Sequence, residues 1–160
     1  MGFEEVNAYL VQAGYGDRVQ EFDVSSATVE LAAQALGCPP AHIAKTLSFM
    51  ADGQPLLIVA AGDARVDNAK YKAQFHQKAK MMSAEELERF TGLHFGGVCP
   101  FAMPAPVQVW LDVSLRRFAE VYPACGSANS AVRLTIPELE KSSGYRAWVD
   151  VCKGWSEAAE

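Results

Sequence analysis

Residues 45–60 read Lys45-Thr46-Leu47-Ser48-Phe49-Met50-Ala51-Asp52-Gly53-Gln54-Pro55-Leu56-Leu57-Ile58-Val59-Ala60, and this stretch decides the fold. Two runs of β-forming residues, 45–50 and 55–60, flank a central Asp-Gly pair, which is a strong hairpin signal. The first run alternates with period two, so Lys45 shares a strand face with Leu47 and Phe49. If those two side chains turn toward the core, the lysine turns with them.

Working outward, Phe3, Val6, Tyr9 and Leu10 recur at helical spacing and Gly14 supplies a stop. A second helix is expected over about 27–36, with Ser25 or Ser26 as cap, Val29, Ala32, Ala33 and Leu36 as apolar face, and Gly37, Pro39 and Pro40 as its end. Downstream, Ser83-Ala84-Glu85-Glu86 is a capping box and Gly92 closes that helix; Thr135-Ile136-Pro137-Glu138 repeats the device. Between them Val107, Val109 and Leu111 alternate with Gln108, Trp110 and Asp112, and Val132, Leu134 and Ile136 alternate likewise. Helices and strands mix without a regular βαβ rhythm, which favours an α+β domain over a doubly wound one.

The 160 residues are half apolar, enough to bury one core without disulfides or metal. No Gly/Ser/Pro-rich linker or repeat divides them, so a single domain is expected over 2–155, with 156–160 fraying. Fourteen Lys and Arg against 19 Asp and Glu give a net charge of -5, so any nucleic-acid contact must use a local patch. The opening residues, with Glu4 and Glu5, resemble neither a signal peptide nor a membrane span, and a cytoplasmic location is expected. Cys38, Cys99, Cys125 and Cys152 lie far apart and read as free thiols in a reducing compartment.

Lys45 is the most informative residue. A lysine is rarely buried without a partner, so a carboxylate or a bound anion should meet it; the alternative is that it sits at the strand end and snorkels to water. The stretch His94-Phe95-Gly96-Gly97-Val98-Cys99-Pro100-Phe101 pairs glycines before a proline-fixed apolar loop. Such glycines allow backbone amides to approach a carbonyl or oxyanion, or merely form a tight turn. A third loop, Ala124-Cys125-Gly126-Ser127-Ala128-Asn129-Ser130, gathers small hydrogen-bonding side chains before a strand and is by composition equally a turn.

Cys99 near His94 admits a thiol-nucleophile or redox reading, which sequence adjacency supports only weakly. His42 and His76 belong to no metal-ligand spacing, so neither metal nor cofactor is expected. From 65 to 80 the chain carries Arg65, Lys70, Lys72, Lys78 and Lys80 against Asp67 alone, a net of +4. A solvated helix face explains such a run, while the interleaved Tyr71 and Phe75 also fit an edge that tracks phosphates.

Four segments in series, Ala44 to Phe49, Ala60-Ala61-Gly62-Asp63, Gly96 to Phe101 and Val109-Trp110-Leu111-Asp112, resemble the YbaK/prolyl-tRNA-synthetase-associated domain family in order and spacing. The resemblance implies an α+β fold on a mixed, barrel-like β-sheet flanked by helices. It implies hydrolysis of the ester joining a wrong amino acid to tRNA, by a trans-editing deacylase acting on the aminoacylated 3′ end.

Residue by residue, the resemblance implies that Lys45 holds the terminal adenosine and the ester, that Gly96 and Gly97 lie near the ester carbonyl, and that Gly126 belongs to a late pocket loop. Phe22 falls where a cysteinyl-editing branch has tyrosine, Cys99 replaces a frequent serine, Ala131 stands in place of that branch's aspartate, and Asn129 matches an asparagine of the alanyl-editing branch. Phe22, Cys99, Pro100, Gly126, Ser127 and Asn129 are therefore the expected substrate-binding set. The cargo expected is a small or polar amino acid: alanine, serine, threonine or cysteine. The partners expected are tRNA and an aminoacyl-tRNA synthetase, with no membrane and no DNA. The competing reading is a binding module that uses the same pocket on tRNA or a synthetase without turnover.

Overall fold

A computed structural model describes residues 1–157. In chain order the elements are α1 (Phe3–Gln12), β1 (Val19–Glu21), α2 (Val29–Leu36), β2 (Ile43–Ala51), β3 (Gln54–Ala61), β4 (Arg65–Val66), α3 (Asn68–Phe75), α4 (Ala84–Thr91), β5 (Gln108–Asp112), β6 (Glu120–Pro123), β7 (Ser130–Val132), β8 (Leu134–Thr135), α5 (Ile136–Ser143), β9 (Trp148–Val149) and β10 (Cys152–Lys153). The tail expected at 156–160 falls partly outside the described residues.

The hairpin forms as the sequence demands. Asp52 (φ 53°) and Gly53 (φ 75°) both occupy the left-handed region, the geometry of a two-residue type I′ turn. That turn pairs Ala51 with Gln54 and carries the register back to Lys45 opposite Ala60 and Ala44 opposite Ala61. The hairpin lies at the middle of a six-stranded sheet in the order β8-β6-β2-β3-β5-β9. β2–β3 and β6–β8 are antiparallel, while β2–β6, β3–β5 and β5–β9 are parallel, so the sheet is mixed. The fold is α+β, one domain with a curled half-barrel sheet and five α-helices among the described residues.

β3 is buried from Pro55 to Ala61, which is why its sequence is a continuous apolar run rather than an alternating one. Helix α3 is fixed to the sheet by an aromatic chain: Tyr71 packs on Phe49 (5.1 Å between ring centroids) and on Phe75 (4.8 Å), and Phe75 meets Trp110 edge-on at 5.3 Å. Tyr71 is fully buried, so it holds the helix rather than offering a ring at a phosphate-tracking edge.

Three local expectations are corrected. Helix α2 starts at Val29 with Thr28 as cap, its hydroxyl accepting from Leu31 N–H at 3.2 Å, whereas Ser25 accepts from Ala27 N–H in the preceding turn. Ile136 opens α5 instead of ending a strand, because the Thr135–Glu138 capping box starts the helix there. Asp112 is fully buried although the alternation placed it outward: it accepts from the N–H groups of Ser114 and Val151, both at 2.9 Å, and so ties β5 to the chain beyond β9.

Candidate functional site

Lys45 lies near the start of β2, half-buried, with its ammonium turned toward the end of the partner strand β3. It donates to the carbonyls of Ala64 and, at 3.4 Å, Gly62. The partner expected from burial was a carboxylate or an anion; the structure supplies peptide carbonyls instead. The hairpin register explains this, since with Lys45 opposite Ala60 the next residues of the β3 exit pass directly by the ammonium. Burial pushes the Lys45 pKa below the ordinary lysine value, opposed by the nearby Cys152, Asp63 and Glu30. An ammonium carries three donors, and two are spent on these carbonyls.

Asp63 stands between the two accepting residues and is gripped by Arg117, whose Nη1 and Nη2 reach its carboxylate oxygens at 2.9 and 2.5 Å. The Arg117 hydrogen bonds hold the Asp63 carboxyl below the usual carboxylate range.

Lys45 borders an open-mouthed cavity of about 130 Å³ lined by α2, the start of β2, Phe95, Gly96, Val98, Tyr122 and the residues leading into β7. Its apolar wall is Val29, Ala32, Ile43, Val98 and Ala131; its polar wall is Ser26, Thr28, Thr46 and Ser130. Ser26 Oγ and Thr46 Oγ1 are buried with no hydrogen-bond partner among the described residues. Phe95 stands at the rim, 53% exposed.

The wall contains no carboxylate and no imidazole. Among the described residues no group of three His, Cys, Asp or Glu is placed to hold a metal ion.

Of the residues singled out in the sequence, Lys45 and Gly96 line this cavity, and Gly97, Phe22, Cys99, Pro100, Gly126, Ser127 and Asn129 do not. Gly97 packs behind it: its N–H donates to His94 O at 3.1 Å, and a Cβ at this position would fall 2.8–2.9 Å from the Ser127 backbone. The Gly96–Gly97 loop is thus seated directly on the 124–130 loop.

That second loop is ordered by its own side chains. Ser127 Oγ donates to Asn129 Oδ1 at 2.9 Å and lies 2.7 Å from Ser130 Oγ; with its single proton spent, it accepts from Ser130. Asn129 Nδ2 donates to Phe22 O at 3.1 Å, and Phe22 N–H returns to Asn129 O at 2.8 Å. Phe22 and Asn129 therefore brace the cavity from outside.

Cys99 and Cys125 are fully buried. Desolvation pushes the Cys99 thiol up to about 12 and the Cys125 thiol up as well, while the His94 side chain is 74% exposed beside Glu88. A thiolate nucleophile needs a lowered pKa, and these cysteines have the reverse.

The sequence missed Ser26, Thr46, Phe95, Tyr122 and Ser130 as cavity residues. Ser26 read as a helix cap, and Thr46 sits on a strand where any β-branched residue fits.

The basic segment adjoins the cavity. Lys45 also lines a second groove with Leu47, Phe49, Arg65, Val66, Asn68, Ala79 and Met81. Asn68 and Ala79 are shared in turn with a third depression holding Lys72 and Lys78. Lys80 lies on a further concave surface with Lys78. Lys70 is engaged elsewhere, bonded to Asp150 at 3.0 Å and to Cys152 O at 3.1 Å. No helix among the described residues is long and apolar enough to cross a membrane.

Comparison with known proteins accords with this geometry. The model of the aminoacyl-tRNA editing domain matches residues 23–142. The uncharacterized protein YwhH of Bacillus subtilis (strain 168) is 49% identical over 156 residues, covering 97% of this chain and 99% of that protein. The proline–tRNA ligase of Leuconostoc citreum (strain KM20) is 33% identical over 104 residues, which are 64% of this chain and 18% of the ligase. A crystal structure provisionally assigned as a trans-editing enzyme for prolyl-tRNA synthetase superposes with a TM-score of 0.84 at 30% identity, covering 94% of this chain and 96% of that one. With fold and sequence agreeing over most of its length, the chain belongs to the aminoacyl-tRNA editing domain family.

Proposed function

We propose that this protein is a cytoplasmic aminoacyl-tRNA deacylase acting in trans, which hydrolyses tRNA mischarged with a small or polar amino acid of the alanine, serine, threonine or cysteine class. The observation that carries the reading is the position of Lys45, which lines both a small cavity and a groove leading to exposed cations. The cavity takes the aminoacyl group; the groove takes the 3′ end of the tRNA, with Arg65, Lys72, Lys78 and Lys80 along its phosphates. Similarity to proline–tRNA ligases and to a structure assigned to trans-editing for prolyl-tRNA synthetase supports the proline tRNA as carrier and that synthetase as functional partner.

Chemically, water attacks the ester carbonyl, the bond from carbonyl carbon to ribose oxygen breaks, and the products are a free amino acid and a ribose hydroxyl. The third donor of Lys45 holds the terminal adenosine where it carries the ester, and the backbone at Gly96 supports the carbonyl as charge develops on its oxygen. Gly97 contributes by packing, since its N–H is committed to His94. With no carboxylate or imidazole on the wall, catalysis rests on positioning, and an adjacent ribose hydroxyl of the substrate can assist the water.

The absence of a carboxylate or imidazole from the wall also favours a second reading, a binding module that retains the charged 3′ end without turnover. Deacylation of proline tRNA carrying alanine, serine, threonine or cysteine, with wild type and Lys45→Ala, separates the two. Release that depends on the lysine supports the hydrolase; binding without release supports the module.

A further inference from the structure

The cavity wall shows more than size selection. Ser26 is 7% exposed and pinned by its backbone N–H to Ala128 O at 2.6 Å, yet its hydroxyl is buried without a partner. Thr46 Oγ1 is in the same condition on β2. Ser130, 1% exposed, spends its proton on Ser127, so toward the cavity it can only accept. Two hydroxyls able to donate and accept and one able to accept thus join Thr28, Lys45 and Tyr122 among the polar groups of a cavity whose remaining side chains are apolar.

A buried hydroxyl without a partner is costly, and a ligand that cannot satisfy it leaves that cost in place. A methyl side chain would leave Ser26 and Thr46 unpaired, whereas a side-chain hydroxyl supplies one proton and two lone pairs to the same wall.

We propose that Ser26 and Thr46 are specificity-determining residues that select an aminoacyl group bearing a side-chain hydroxyl, serine or threonine, over alanine. This rests on the deacylase reading and narrows it. Discrimination by groups that need a substrate hydroxyl exceeds what a purely apolar pocket achieves for one methyl, because the unpaired wall penalises the wrong substrate.

The test is a comparison of kcat/KM for Ser-, Thr- and Ala-charged proline tRNA with wild type, Ser26→Ala, Thr46→Val and the double variant. Wild type should prefer the hydroxyl-bearing substrates by roughly tenfold or more, each single variant should lower that ratio, and the double variant should bring it to within about twofold of unity. Both changes delete an unpartnered hydroxyl, so the variants should melt at or above the wild-type temperature, which keeps a failure to fold from mimicking the result.

Wild type that cleaves Ala-tRNA as fast as Ser-tRNA, or variants that lose activity on all three substrates equally, overturns the assignment while leaving the deacylase reading standing. Absence of turnover on every substrate with wild type removes the deacylase reading and this assignment with it.

Discussion

Arg117 holds Asp63 with both arms of its guanidinium, at 2.9 and 2.5 Å, and Asp63 is the residue between the two carbonyls that receive the Lys45 ammonium. The pair sets the backbone on which the lysine rests. Arg117 keeps 2% of its side-chain exposure and Asp63 29%. Removing one partner of such a pair strands the other's charge, at a cost near the low end of the buried range because Asp63 retains some solvent.

Asp63→Asn is therefore expected to cost on the order of 3 kcal/mol in urea unfolding at neutral pH. Since Arg117 depresses the Asp63 pKa in the folded state, this stability is complete above the ordinary aspartate value and is lost as pH falls through the folded value. Wild type and Asp63→Asn should then converge in acid. Parallel stability curves down to pH 2 would show that the carboxylate contributes nothing through its charge.

Lys45 gives a pair of opposite pH trends. Its pKa is lowered in the folded state, so between that value and the ordinary one the unfolded chain binds more protons and stability rises with pH. Deacylation, corrected for spontaneous ester hydrolysis, should fall over the same interval as the ammonium is lost. Lys45→Met should abolish both trends and lower kcat/KM by about 100-fold or more. A variant that keeps the alkaline rise in stability would assign that rise to another group.

The cysteines divide by burial. Cys38 is partly exposed while Cys99, Cys125 and Cys152 are buried, so brief alkylation of the native protein at neutral pH should label one thiol, read by mass spectrometry. Cys99→Ser should retain turnover and lose about 1–3 kcal/mol of stability, because a hydroxyl enters an apolar site. Loss of deacylation at unchanged stability would revive the thiol as a chemical participant.

Gly97→Ala tests the seating of one loop on the other. The new methyl would press on the Ser127 backbone at 2.8–2.9 Å, and backbone cannot rotate aside as a side-chain end can. Stability should drop by about 1–3 kcal/mol, and turnover should fall with it because Gly96 moves with its neighbour. A neutral effect would mean the two loops part without consequence.

The hairpin was legible because the Asp-Gly turn and the alternating run leave little choice of register. That register also determines which carbonyls pass Lys45, so counting back from the turn points to the chain just beyond Ala60 as the source of its partners. The cavity was less legible. Ser26 carries the same signature as a helix cap, and the structure gives the cap to Thr28, two residues on, freeing Ser26 for the wall. Likewise Asn129 and Ser127, chosen as binding residues, satisfy each other and Phe22, which no local pattern reveals.

The basic segment makes a final prediction, because its five cations are not equivalent. Lys70 is paired with Asp150, whereas Lys72 and Lys78 border the depression that continues from the Lys45 groove. Each cation that neutralises a phosphate steepens the fall of tRNA affinity with salt, by roughly 0.7 in the log–log slope for a single strand. Replacing Lys72 and Lys78 together by alanine should therefore flatten the slope by about 1.4, while Lys70→Ala should leave it nearly unchanged. Equal slopes for wild type and the double variant, measured by filter binding between 50 and 200 mM salt, would place the phosphates on another face.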